Sequence, residues 1–282
     1  MNMLAISKIK SDLLWLTEGS ELLCGPRFRL FQELYSIPRK GIQRKISALN
    51  GSEDELGDLL TKEHRKLGIY FEELVSCYLK LNGLEVMQQN VSLLDKRRTV
   101  GEVDLVVREG TLIMALELAV KFYLWDPYSA KFCSPNGSDR FEDKYQRIQE
   151  GQIPRAEEHV KAITTSGKVG AWVLGRLYYP LFQKELPDHL PLCRDTQRGV
   201  WWKWKESGPF PLGQGGRIRL SADRFDWMSG PESGTPTMTS IELNDQLSNY
   251  FSTSRGSVEG EWTGPEGELI RFFIVHPSWP FS

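Results

Sequence analysis

Cysteine and histidine are scarce in this chain, with four of each among 282 residues. Cys24, Cys77, Cys133 and Cys193 never form the close pairs that zinc sites use, and His64, His159, His189 and His276 are equally scattered. These spacings argue against a zinc centre. They also give no reason to expect a stabilising disulfide, which suits a reducing cytoplasm. No apolar run approaches the roughly 20 residues of a membrane span. The opening Met1-Asn-Met-Leu-Ala-Ile-Ser-Lys8 lacks the apolar stretch of a signal peptide. We therefore expect a cytoplasmic protein without a membrane partner. A basic excess is missing too: 35 Lys and Arg against 37 Asp and Glu give a formal net charge of -2. Any surface that neutralises phosphates must then be local.

Charge does occur where charge is expensive. The run Thr111-Leu-Ile-Met-Ala-Leu-Glu117-Leu-Ala-Val-Lys121-Phe-Tyr-Leu124 reads as one buried strand, yet it carries a carboxylate and an ammonium. An unpaired ion there costs several kcal/mol, on the order of a domain's net stability. Upstream, Gly101-Glu-Val-Asp104-Leu-Val-Val107 repeats the pattern with a second carboxylate. Side chains two apart on a strand share a face, so Glu117 points with Ala119 and Lys121, and Asp104 with Glu102 and Val106.

Hydrophobic periodicity supplies the frame. Residues from about Ile9 to Leu34 read as helical, with a break near Gly19. A clearer helix carries Leu67, Phe71, Leu74, Val75, Tyr78 and Leu79 and ends at Asn82-Gly83. On it Glu72 borders the apolar face, while Glu73 is expected in water. Strands follow over Leu84–Val91, Val100–Val107 and Leu112–Leu124, the last two joined by the turn Arg108-Glu-Gly110. A helix opening at Ser138 or Asp139, a second from Arg155 to Ile163 and a strand from Val169 to Tyr179 complete an α-β-β-β-α-(α)-β order. Beyond Pro180 short strands and loops are expected, with Ser229 to Ser240 as the most loop-like segment.

Pairing the two acidic strands brings Asp104 beside Glu117. Two close carboxylates repel unless a cation sits between them, and hard oxygen ligands suit magnesium or manganese. Such an ion with a nearby lysine points to phosphodiester hydrolysis. The arrangement resembles the PD-(D/E)xK nuclease superfamily, whose core is an acid-bearing helix, a three-stranded meander with an aspartate and an acid-x-lysine, then a helix and a strand. More closely, the chain resembles a bacterial domain-of-unknown-function family, number eighteen fifty-three, assigned to that superfamily. The resembling stretches are Asp12-Leu-Leu-Trp15, Leu67-Gly-Ile-Tyr-Phe-Glu72, Gly101-Glu-Val-Asp104, Glu117 to Leu124, Ser138 to Lys144, Gln152, Gly175-Arg-Leu-Tyr-Tyr-Pro180 and Arg271 to Pro280. One departure stands out. The position two after the second acid holds Ala119, and Lys121 lies about 7 Å further along the strand.

The resemblance implies an α/β fold with a restriction-endonuclease-like α-β-β-β-α-β core and a mixed sheet of four or five strands. The core would span residues 61–180, after an N-terminal helical extension over 1–60 and before an irregular C-terminal part over 181–282 packed on it. Asp104, Glu117 and Glu72 are the expected metal ligands for magnesium or manganese, and Lys121 the expected catalytic lysine. Arg140, Lys144 and Gln152 are the expected nucleic-acid contacts, on DNA or, as an alternative, RNA. Competing readings stay open: an internal Glu117–Lys121 ion pair, a solvated Arg140/Lys144/Arg147 flank, a nuclease fold that binds nucleic acid or protein without cleaving, and a hydrolase of a small phosphorylated substrate. The Trp201, Trp202 and Trp204 group is expected to pack rather than stack on bases.

Overall fold

The computed structural model describes residues 6–18, 21–28, 39–49, 56, 59, 66–95, 98–183, 187, 189–205, 210–213 and 215–280. The chain folds as mixed α/β, in two compact units assembled from alternating segments. The first takes residues up to Lys121, then Lys144–Gly175 and Pro191–Asp195; the second takes Phe122–Asp143, Arg176–Leu190 and Thr196–Ser282.

In the first unit, α1 (Ile6–Glu18) buries Ile9, Leu13 and Leu16, which fall at helical spacing. It also buries Asp12, which accepts from Lys8 Nζ at 2.6 Å and from Tyr70 Oη at 2.8 Å. Asp12 is thereby paired and hydrogen-bonded in the interior, the condition under which a buried carboxylate is tolerated. Tyr70 belongs to α3 (Leu67–Leu81), and α2 (Arg39–Ala48) reaches the end of α3 through Lys45 Nζ and the Leu81 carbonyl, 2.9 Å apart. α3 buries Tyr70, Phe71, Leu74, Val75, Tyr78 and Leu79 as the periodicity requires, and Gly83, at φ +85°, turns the chain away. The helix read across Leu22 and Leu23 does not form. Instead Glu21 bridges to Leu174 and Leu23 to Leu192. Residues 29–38 lie outside the described set.

β1 (Glu85–Asp95), β2 (Arg98–Glu109) and β3 (Leu112–Asp126) form the expected antiparallel meander, with β5 (Lys168–Pro180) beside β3. Between β3 and β5 come α4 (Phe141–Arg147), a π-helical turn (Ile148–Gln152) and α5 (Ile153–Ile163). These are one continuous run rather than the two separate helices expected. Ala156 and Val160 of α5 pack on Val106 and Ala115, so α5 covers one face of the β2–β3 hairpin.

Gly175 is where β5 closes on β3. Its φ is +146°, and a β-carbon there would lie 1.7 Å from the Lys121 carbonyl oxygen. Backbone cannot yield as a side chain can, so Gly175→Ala should destabilise the protein by at least ~3 kcal/mol. A thermal melt checks this: an unchanged Tm would refute the close approach.

Two corrections concern cysteine and the C-terminal region. Cys24 and Cys193, 169 residues apart, form a disulfide. Sequence spacing does not reveal it, because the two are brought together by backbone pairing: Cys24 N–H donates to the Pro191 carbonyl at 2.7 Å and Cys193 N–H to the Leu22 carbonyl at 3.1 Å. The C-terminal part is regular, and the described residues form nine strands rather than four or five. In the second unit β6 (Arg198–Lys203) runs parallel to the end of β5 and to β9 (Leu269–Val275), while β8 (Ser257–Thr263) and β7 (Arg217–Leu220) continue antiparallel. The short β4 (Lys131–Cys133) pairs with the end of β3. Helix α6 (Ser240–Thr253), capped reciprocally by Thr239 and Glu242, lays Leu243 and Leu247 on Trp202, Ile218, Trp262, Phe272 and Ile274. Within Ser229–Ser240 itself, Met238 bridges to Ile218. Trp201 and Trp202 are buried, and Trp201 Nε1 donates to the Trp125 carbonyl at 3.0 Å, so both pack as expected. Arg271 pairs with Glu259 at 2.6 Å and with Glu261 at 3.6 Å inside this unit, and all three are buried. Among the described residues no helix is long and apolar enough to cross a membrane.

A carboxylate pair with its cations

β2 and β3 pair from Glu109↔Leu112 to Leu105↔Leu116. One residue further along that register stand Asp104 and Glu117, facing each other on the side that α5 covers. The ladder stops here because Asp104 Oδ2 accepts the Leu118 N–H at 2.7 Å, so a side chain has taken a backbone donor. Glu117 is 5% exposed. Its Oε1 accepts from Lys144 Nζ at 3.1 Å and from Gln152 Nε2, and Lys144 Nζ donates also to Gln152 Oε1 at 3.0 Å. The geometry of α5 explains the contact: with Ala156 and Val160 on Val106 and Ala115, the turn before them carries Gln152 to Glu117. The π-helical turn joins Gln152 to the helix that holds Lys144. Wider turns of this kind often occur where helical side chains serve a site.

Electrostatics set the three acids apart from ordinary surface carboxylates. Asp104 is pushed up to about 8, first by burial and then by the Glu117 charge, with Glu72 adding and the Leu118 N–H and Lys144 opposing. Glu72, half-buried on α3, is pushed up to about 7 by burial and by Glu102, Glu117 and Glu73. Burial raises Glu117 as well, against Lys144, Gln152 and Arg155. Like charges sharing a poorly hydrated place disfavour ionisation, and that is the signature here. Asp104 Oδ1, Glu117 Oε2 and both oxygens of Glu72 accept no hydrogen bond from any described residue. Among the described residues no group of three His, Cys, Asp or Glu side chains lies close enough to hold a metal ion.

The expected residues are thus partly gathered. Asp104, Glu117, Glu72, Lys144 and Gln152 share the first unit, and their charges or hydrogen bonds interact. Lys121 is half-buried on β3, but the ammonium on Glu117 is that of Lys144, a residue expected on phosphate. Arg140 is exposed and belongs to the second unit, and Arg147 is exposed. Glu73, expected in water, is half-buried, because α3 is covered over more than one face. Sequence reasoning missed Arg155, whose charge reaches Glu117. The glycines at positions 101 and 151 were the available signal for it. In comparison with known proteins, the family described as Domain of unknown function (DUF1853) matches residues 11–275. No curated protein and no solved structure matches.

Proposed function

The chain belongs to the family described as Domain of unknown function (DUF1853), and from the geometry of its site we propose that it is a metal-dependent phosphodiesterase of the PD-(D/E)xK type acting on DNA. The observation that carries this is a pair of facing carboxylates, Asp104 and Glu117, with oxygens left open and a lysine ammonium held against one of them. The element order, an acid-bearing helix, an antiparallel meander, a helix and a strand, supports the same reading.

Asp104 and Glu117 would hold the ion, with Glu72 supporting it through a water molecule. Two protein carboxylates suit magnesium, which keeps several waters. A bound magnesium or manganese ion supplies Lewis acidity toward a phosphoryl oxygen and acidifies a water molecule. The protein does the rest. Asp104 is fixed by the Leu118 amide, and Glu117 by Lys144 and Gln152, so their open oxygens are held before any cation arrives. Lys144 takes the place that Ala119 leaves empty of charge, from a helix rather than from the strand, and offsets negative charge that builds on the phosphate. Burial excludes water from the Glu117 side and strengthens each of these interactions.

The pH dependence follows from the raised acids. A dication needs ionised carboxylates, and Asp104 near 8 and Glu72 near 7 are still partly protonated at neutrality. Manganese affinity should therefore climb between about pH 6 and pH 8.5, with protons released on binding. Calorimetric titration of manganese across that range, paired with cleavage of single-stranded, nicked and duplex DNA, tests the proposal. Flat, millimolar-or-weaker binding with no cleavage would retire it. The reading in which this fold binds without cleaving would then stand, consistent with the lack of a three-ligand cluster among the described residues.

A further inference from the structure

Arg155 lies in the first turn of α5 and is half-buried, yet it makes no hydrogen bond and no ion pair with any described residue. A guanidinium has five donors that cannot be switched off by deprotonation, so a half-buried one with no acceptor among the described residues is suited to take an acceptor from a ligand. Its place is shaped by two missing side chains. A β-carbon on Gly101 of β2 would lie 2.6 Å from Arg155 Nε and 3.2 Å from Cδ, and one on Gly151 of the π-turn would lie 3.0 Å from one terminal nitrogen and 3.5 Å from the other. The stem and fork therefore lie against bare backbone on both sides. Gly101 is three residues before Asp104, and Gly151 directly precedes Gln152, so the slot borders the carboxylate site. The guanidinium is also near enough for its charge to act on Glu117, but Glu117 Oε1 is already occupied by Lys144 and Gln152.

We propose that Arg155 is a phosphate-binding residue, its fork aimed by the Gly101–Gly151 slot at two non-bridging oxygens of a phosphate group brought to the carboxylate pair. The proposal rests on the phosphodiesterase reading for what that phosphate is. The shared chemistry is a phosphate oxyanion, from a nucleic-acid diester or from a small phosphate monoester. Arginine suits it because its planar fork matches a phosphate in two-pronged fashion, whereas a lysine offers only a point charge. Positive charge here also counters the repulsion between a phosphate and the three acids.

The test follows the Arg155 Nε–H resonance of the full chain, identified by its loss in Arg155→Lys, during titration with a short non-cleavable phosphorothioate oligodeoxynucleotide and, separately, with thymidine monophosphate. Binding of at least one probe should shift that resonance. Arg155→Lys and Arg155→Ala should weaken binding of the same probe by about 10- to 100-fold. Gly101→Ala, which keeps the arginine but pushes its stem aside, should weaken it comparably. Thermal melts of the variants separate misfolding from lost contact. A response to the oligonucleotide alone identifies a diester as the ligand, and a response to the nucleotide alone identifies a monoester. No shift with either probe, or wild-type affinity in folded Arg155→Lys and Arg155→Ala, overturns the proposal. The two readings fail separately. A protein that binds manganese and cleaves DNA regardless of Arg155 refutes only the arginine's role. A protein that shows Arg155-dependent binding without manganese affinity or cleavage refutes only the phosphodiesterase.

Discussion

On the phosphodiesterase reading, Asp104→Asn will cut cleavage by about 10³-fold and yet make the metal-free protein more stable in alkaline solution. Asparagine keeps an oxygen for the Leu118 amide, so the local backbone is retained. What disappears is a carboxylate held up at about 8 by burial and by Glu117. A raised carboxyl favours the folded state while it is protonated; that contribution is fully present below the unfolded value near 4 and is lost as pH rises through the folded value. Wild type therefore pays an increasing penalty between about pH 4 and pH 8, and Asp104→Asn does not. Above pH 8 the variant should be the more stable by ~2 kcal/mol or more, with the difference vanishing in acid. Activity moves the other way, because half of the carboxylate pair is gone: the cleavage rate should fall by about 10³-fold, and manganese should no longer stabilise the fold. Denaturant melts at pH 5 and pH 9, with and without manganese, read both effects. A variant less stable than wild type at pH 9 would show that Asp104 is a structural acceptor and that its neighbours do not repel it.

Lys144→Ala tests the other half of the site and should be the most destabilising change within it. Lys144 is 13% exposed and Glu117 5% exposed, so removing the ammonium strands a buried carboxylate. Breaking such a pair costs about 3–5 kcal/mol where the charge remains. Glu117 has an escape, since its affinity for a proton is already raised. The loss should consequently be largest in alkaline solution and shrink in acid as Glu117 takes up a proton. Lys144→Met combined with Glu117→Gln removes both charges together and should recover most of the stability, a coupling that a double-mutant cycle isolates. If the single and double variants are equally unstable, Lys144 supports α4 by packing rather than by charge. For function, an inactive but refolded double variant is expected, because the open carboxylate oxygen and the ammonium go together.

How far the site could be read before folding depends on the kind of information each residue carries. Asp104 and Glu117 were legible because strand alternation and a short turn between two apolar runs leave little freedom in how they meet. Glu72 was legible from helical spacing at the border of an apolar face. Ala119 marked where charge was missing. That Lys144 sets its ammonium on Glu117 was not legible, because reach from a helix depends on how that helix is rotated over the sheet. The stretch up to Gln152 falls where the sequence reading ends one helix and has not yet begun the next, yet its π-turn is what joins Gln152 to the Lys144 helix above Glu117. Arg155 was hidden for the same reason, and Cys24 and Cys193 because their meeting rests on bridges between distant segments.

The chain by itself determined that carboxylates would enter buried strands, that a meander would hold them, and that some cation would have to answer them, since local periodicity and the cost of burying charge are properties of the residues alone. Tertiary structure decided which cations answer: Lys144 on Glu117, and Arg155 between two glycines with no acceptor among the described residues. The physical reason is range. Alternation and turns act over a few residues, whereas pairing of charges is settled by distances of a few ångströms between elements far apart in sequence, and only packing sets those distances.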